Sequence, residues 1–556
     1  KTLTLQAGRE GRARFRVRAG DRPGAAELVF QARAGEQSLS RTATLSVRPA
    51  VPHRTTLSAG MGTGGDARVT LARRLRPALA EQEATVGYSP LILVHGLRTY
   101  LGDYPHTCTE QLVSRALPML VLLGDPAPDI DREAVLQQYR TVVGSLRARQ
   151  RASGGFGFWP GSPHVDALVT VYAMHFLTDA GDLGIPVPAH MRTAGLDYLR
   201  KIAAADPAAG QRAYEQAYAI YVMTRNGRVT TNYLTRLQEY LEAHQPKTWR
   251  RGLVAVYMAA AYRQLKLDDL ARDLVADYRF AEPGTDYPRD MDSALARNAQ
   301  YVYVLARHFP ERLAVLDDSQ VTRLVKPITE GDFNTLSSAY TALALGAWGR
   351  GAGSAAAGRL TMLGPAADDA EMETLAEAEP PLLRSAVPLG TRRLRFRGDE
   401  ERRLFHTVTQ SGYDAQLPDR ATRRGLEVVR EYLDEQGEPV TRAPQGSELT
   451  VRIRLRALDN IRHDNVALVD LLPGGFEVQR ESVRDRGDGW STDYTDIRED
   501  RVVLYGSVDS RARTFTYRVK VTGTGTFVIP PAFAESMYHP DAQAQSLPGT
   551  FHVERP

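Results

Sequence analysis

Leu168–Leu177 reads LVTVYAMHFL, and four later stretches repeat its character: YEQAYAIYVM at Tyr214–Met223, LVAVYMAAAY at Leu253–Tyr262, RNAQYVYVLA at Arg297–Ala306 and SSAYTALALG at Ser337–Gly346. The matching tyrosines are Tyr172, Tyr218, Tyr257, Tyr301 and Tyr340, spaced 46, 39, 44 and 39 residues apart. Each stretch is apolar nearly all round, as a helix buried on both sides must be. More polar helices fall between them. A helical hairpin repeated every forty-odd residues predicts a two-layered α/α ring. Expected helices are Thr109–Leu123, Arg132–Arg149, Val165–Ala180, His190–Ala204, Arg212–Thr224, Thr231–Ala243, Arg251–Leu265, Met291–Arg307 and Thr335–Gly346.

Outward from this block the pattern is β. Helical character is expected from about Ala67 to Trp348, and residues 1–60 read as strands at Ala13–Val17, Ala26–Ala32 and Thr42–Arg48. Gly349–Gly358 is a small-residue linker. Strands are expected at Arg393–Phe396 and Leu404–Gln410. A β-sandwich follows, with strands at Leu449–Leu455, Val466–Leu471, Val502–Tyr505, Thr514–Val521 and Gly525–Ile529.

The 556 residues are too many for one core, and 43% apolar with 24% charged residues excludes a disordered chain. A net charge of +4, with acids and bases interspersed, gives no patch for nucleic acid. Six lysines (Lys1, Lys201, Lys247, Lys266, Lys326 and Lys520) stand among 70 basic residues, the rest arginine. The absence of Met at Lys1 reads as a piece of a longer polypeptide, with any targeting segment upstream.

The single cysteine, Cys108, excludes internal disulfides and cysteine-based zinc sites. It stands in Tyr104-Pro105-His106-Thr107-Cys108-Thr109-Glu110-Gln111, just before an expected helix that Thr107 or Thr109 would cap. A helix N-terminus there is expected to lower the thiol pKa. Three roles fit: a small buried hydrophobe; a nucleophile paired with His106 or His164; or an internal thioester with Gln111. In the third, thiolate attacks the carboxamide three residues on and expels ammonia, leaving an acyl donor that must be kept dry.

Cys-x-Glu-Gln behind Tyr-Pro, opening a helical-hairpin domain, resembles the thioester domain of the alpha-2-macroglobulin and complement family. Gly154-Gly155-Phe156-Gly157-Phe158-Trp159-Pro160 and Ser337–Leu343 are similar to later segments of that domain. Gly425–Val428, Asp470–Glu477 and Pro530–Tyr538 resemble the bacterial branch. The resemblance implies an α/α toroid inserted in a β domain of CUB type, flanked by macroglobulin-like β-sandwiches. The implied boundaries are 1–50 for the end of a macroglobulin-like domain, 51–75 and 351–420 for the CUB-like halves, 76–350 for the thioester domain, and 421–556 for the last β-sandwich.

It also implies function. Cys108 and Gln111 would form the thioester, Tyr104 and Glu110 would support it, and Met537 and Tyr538 would shield it. After cleavage of a bait region lying upstream, a protease lysine would attack Gln111 and be trapped. This is a single-use event and not turnover. No His lies in 191–243, where complement-type members carry one, so direct aminolysis is expected. The family implies a monomer in the periplasm, anchored to the inner membrane upstream, with a cell-wall synthesis protein as a possible partner and no cofactor or metal. His106-Thr107 stands where the family often has Tyr-Gly, and Thr109 where it has Leu or Gly. Glycine tolerates backbone angles that Thr resists.

Two other roles belong to different classes: an interaction module with a dead thioester, and a glycan enzyme using Asp166, Asp292 and Asp332 at a ring mouth. Asp485–Gly489 reads as a solvated turn, despite its likeness to a calcium loop. His95, His175 and His308 read as structural, and Arg73-Arg74 and Arg392–Arg397 as solvated faces.

Overall fold

A computed structural model describes residues 2–6, 8–20, 22–124, 131–282, 291–349, 358–365, 371–483 and 489–555. Linker residues 350–357 and turn residues 485–488 lie outside these.

The chain builds β structure, leaves it for a long helical excursion, and returns. Arg54–Gly62 and Glu81–Gly87 flank Leu404–Gly412 antiparallel in one four-stranded sheet, closed by Leu382–Ala386. Asp66–Thr70, Arg393–Arg397, Leu360–Pro365 and Met372–Ala378 form a second. Val86, Leu360, Met362, Phe396 and Val408 share their core. The helical onset expected near Ala67 is therefore too early, and a boundary at residue 75 cuts this β unit. Glu81–Gly87 is a strand because partners some 300 residues away bury it, and local periodicity carries no sign of them.

Helical structure runs from Leu93 to Gly349. Thr109–Gly124, Ala167–Asp182, Gln211–Arg225, Leu253–Gln264, Ala294–His308 and Thr335–Gly349 pack each on the next, and the last returns to the first. The last five carry the repeated tyrosines; Tyr172, Tyr218, Tyr257 and Tyr340 are fully buried. Arg132–Arg147, Ala189–Ala204, Thr231–His244, Asp268–Ala276 and Asp318–Glu330 pack outside them. The outer helices are amphipathic: Thr231–His244 buries Leu234, Leu237 and Leu241 and turns its charges outward. Caps fix the boundaries. Asp131, Asp166 and Ser293 accept N-terminal N–H groups, and Asp317 with Gln320 forms a capping box closed downstream by Gly331 at φ 79°.

Asp166 is thus a helix cap, and Asp292 is paired with Arg297. Neither is a free acid at a ring mouth. Ala13–Val17 is not a strand: it is exposed throughout, with Phe15 resting against Phe30 of the hairpin Gly24–Ala34/Gln37–Val47. Arg73 is not solvated either. Its side chain is 10% exposed, paired with Asp414 and donating to three backbone carbonyls.

Among the described residues, the C-terminal unit has three sheets. Leu426–Leu433, Glu448–Ala457, Arg513–Val521 and Phe476–Val478 form one; His463–Leu471 and Arg501–Val508 are central in another. Val466, Leu468, Val502 and Leu504 point into the core between the sheets. The alternate residues Ala467, Val469, Leu471, Val503 and Tyr505 point the other way and are also buried, against the helical unit. A strand covered on both faces reads as an apolar run, as Val466–Val469 does before Asp470, which is buried against Arg430.

Candidate functional site

Cys108 lies on that second face. It is 0% exposed and clusters with Trp159, Ala467, Val469, Leu471, Val503, Tyr505, Met537 and Tyr538. The helix Thr109–Gly124 begins beside it, and Cys108 C=O accepts the Leu112 N–H. Thr109 stitches the motif to the Gly157-Phe158-Trp159 turn: its N–H donates to Phe158 O at 2.9 Å and its hydroxyl to Gly157 O at 2.6 Å. The expected cap by Thr109 is not what its hydroxyl makes, since it donates to this turn. The Gln111 N–H points at Cys108 Sγ, 3.4 Å away. Thr107 keeps an ordinary negative φ; among the described residues, positive φ outside glycine occurs at Leu79 and Lys266. Arg149 Nη2 fixes this turn by donating to Thr107 O at 2.9 Å.

The Gln111 carboxamide folds back over the turn. Cys108 N–H donates to its Oε1 at 3.0 Å, while its Nε2 faces Met537 Sδ at 3.2 Å. Thiol and carboxamide are therefore held by each other's backbone N–H. An N–H already on Oε1 is placed where it would stabilise an oxyanion if sulfur added to the acyl carbon.

Glu110 is also 0% exposed. The hydroxyls of Ser114, Thr335 and Tyr538 donate to its carboxylate, the last at 2.8 Å. Ser114 in turn meets Tyr172 OH at 2.9 Å, tying the motif to the tyrosine ladder. Glu110 Oε2 and Tyr538 OH stand 3.9 and 3.8 Å from Cys108 Sγ. Burial raises the Glu110 carboxyl above the usual range, and burial together with the Glu110 charge pushes the Cys108 thiol well up. The expected lowering of the thiol pKa by the helix N-terminus is overturned: loss of water outweighs the helix end.

The other candidates find places around this centre. Met537 and Tyr538 lie directly over the pair, 3% and 2% exposed, held by Met537 N–H to Asn465 O and by Asn334 Nδ2 to Tyr538 O. Tyr104 is half-buried and meets the His106 ring edge-on at 5.4 Å. His106 is engaged by Tyr505 and Glu535, and His164 is exposed, so neither is arranged as a base for Cys108. His175 is buried between Tyr218 and Tyr303, and His308 bonds Tyr221. Among the described residues, no group of His, Cys, Asp or Glu could hold a metal ion. Ser114, Asn334, Thr335, Arg149 and the Tyr505–Glu535 pair are contributors that the sequence did not expose. A faint signal existed for two. Ser114 is one helical turn from Glu110, and Thr335 is the first residue of the expected Thr335–Gly346 helix.

Residues 425–541 match the model of the bacterial alpha-2-macroglobulin MG10 domain. An alpha-2-macroglobulin homolog of Yersinia pestis is 34% identical over 99% of this chain and 29% of its own length. The chain is bacterial alpha-2-macroglobulin-like. An alpha-2-macroglobulin of Rickettsia conorii is 28% identical over 100% of this chain and 30% of its own length. The chain thus spans under a third of these alpha-2-macroglobulin relatives. The crystal structure of native Escherichia coli alpha-2-macroglobulin from domain MG7 to the C-terminus superposes with a TM-score of 0.76, at 20% identity, covering 96% of this chain and 88% of that one. It shares the fold of the alpha-2-macroglobulin C-terminal region.

Proposed function

We propose that this chain carries the reactive part of a broad-spectrum endopeptidase inhibitor that links proteases covalently through a Cys108–Gln111 thioester. The observation that carries the reading is the dry, reciprocally hydrogen-bonded pair under Met537 and Tyr538. The helical circuit serves as an α/α toroid inserted in a CUB-like domain, between macroglobulin-like β units. The two sheets whose strands come from both sides of the helical excursion support this assignment.

Cys108 sulfur adds to the Gln111 acyl carbon, the C–N bond breaks and ammonia leaves. The thioester persists while the C-terminal unit excludes water. When that unit separates, a lysine amine of the protease adds to the acyl carbon, and Cys108 leaves as thiolate. The amine forms a stable amide, so each molecule acts once and is not an enzyme. The protein works as a monomer in the periplasm, at the inner membrane.

The reading is tested with a serine protease bearing surface lysines. A covalent adduct that survives denaturation and hydroxylamine is expected from the native protein and not from Cys108→Ala. An adduct that hydroxylamine releases would be an ester, and no adduct at all would overturn the trap. Methylamine is expected to free the Cys108 thiol far faster than glycerol does; efficient labelling by glycerol would contradict direct aminolysis.

A further inference from the structure

Two residues before Cys108, the His106 ring is 2% exposed and bridges two partners on the C-terminal unit. Nδ1 meets Tyr505 OH at 3.0 Å, and Nε2 meets Glu535 Oε1 at 2.9 Å. The Tyr505 ring is crossed edge-on by His106 at 5.4 Å and lies against Trp159 at 4.2 Å, so the Tyr505 side of the bridge is also packed on the helical unit. Glu535 lies in the strand Phe533–Ser536, which runs directly into Met537 and Tyr538. A cavity of about 440 Å³ abuts the bridge, lined by Arg54, Tyr104, His106, Glu535 and Met537 among others. Glu535, with its side chain 19% exposed, is the outer end of this bridge, while the sulfur is fully buried. Among the described residues, the shield's own directional contacts to the motif are Tyr538–Glu110, Gln111–Met537 and the long Tyr538–Cys108 contact. The His106 bridge adds two, one of them to a carboxylate.

We propose that His106 is a positioning residue, a latch that clamps the C-terminal unit over the motif loop and sets how often Cys108 and Gln111 are uncovered. This rests on reading that pair as the shielded reactive centre. Hydrogen bonds to charged groups are strong enough to change an opening equilibrium about tenfold each.

Cys108 is the sole cysteine, so its alkylation reports opening directly. Native protein is treated to completion with methylamine, which frees the thiol if a thioester is present, and the rate of alkylation by iodoacetamide is then measured. His106→Phe retains the ring contacts and removes both hydrogen bonds. It is expected to raise the rate about tenfold with an unchanged melting temperature. Glu535→Gln is expected to raise it by a smaller factor, and the double variant no further than His106→Phe alone. His106→Gln, which keeps a donor toward Glu535, should restore most of the protection. Unchanged alkylation in His106→Phe, or strictly multiplicative effects in the double variant, would overturn the latch. If His106→Phe does not fold, Glu535→Gln and Tyr505→Phe decide, and wild-type rates in both would overturn it. A protein with no thioester still gives the alkylation readout, so failure of the thioester and failure of the latch are separable.

Discussion

Two buried polar centres in this molecule use similar side chains to opposite ends. Inside the helical circuit, His175 is bonded by Tyr218 at 2.6 Å and Tyr303 at 3.1 Å, Tyr303 donates to Asp179, and Arg225 pairs with Asp179 and Asp182 at 2.6 Å each. Tyr218 adds Tyr340 OH at 2.9 Å. Every one of these groups belongs to the helical unit. Around Cys108, by contrast, the motif supplies the Cys108–Gln111 pair, and residues 505, 535, 537 and 538 of the C-terminal unit lie over it. The first centre is sealed for as long as the helices are folded. The second is sealed only while two units stay together. Burial is equally complete in both, so exposure alone does not distinguish a structural network from a guarded reactive site. What distinguishes them is whether one folding unit owns all the partners.

The sharpest way to break the comparison is to cut one partner from each centre. Asp179→Ala leaves the Arg225 guanidinium, 3% exposed, without its buried partner, and should cost about 3–5 kcal/mol. Urea unfolding checks this, and a loss below about 1 kcal/mol would show that the network does not hold the circuit together. Tyr538→Ala should leave stability nearly unchanged in the helical unit while raising the hydrolysis rate of the thioester at least about tenfold, because a hydroxyl on Glu110 and a large apolar cover go together. Equal hydrolysis in variant and wild type would remove Tyr538 from the shield.

A pH titration sharpens the difference further. Burial holds the His175 imidazole down at about 4 and His308 at about 3, against an ordinary value of 6.5. The unfolded chain takes up these protons first. Stability is therefore full above about pH 6.5 and falls as the pH drops toward 4. Urea midpoints of the helical unit measured across that window should decline, and a flat profile would contradict a neutral, buried His175. The smallest expected effect is Thr335→Val, which removes one of three hydroxyls from Glu110. About 1 kcal/mol of stability should be lost, read as a lower thermal midpoint. A loss several times larger would mean that Glu110 depends on this donor alone.

The legible and illegible parts of the sequence divide along the same line. The tyrosine repeat named the inner helices because each buries its own apolar surface locally, and their observed ends lie within three residues of expectation. Cys108, Glu110 and Gln111 were visible because their spacing is itself the chemistry. Met537 and Tyr538 were visible only through resemblance. Ser114 was hidden because helix position does not announce a bond to carboxylate. Thr335, Tyr505 and Glu535 meet the motif across hundreds of residues, and such pairings leave no periodic trace. Glu81–Gly87 failed for the same reason. The Cys108 thiol went the wrong way because a helix end was weighed without the C-terminal unit that dries it.

The central claim is that two side chains, three residues apart, become one bond beneath a removable cover. The direct test is the intact mass of natively purified protein with and without methylamine. The account predicts a mass short by one ammonia, then a gain of one methylamine on Gln111 together with a free Cys108 thiol. A full calculated mass in fresh protein, unchanged by methylamine and with peptide mapping showing Gln still at position 111, would mean that the bond never forms and would contradict it.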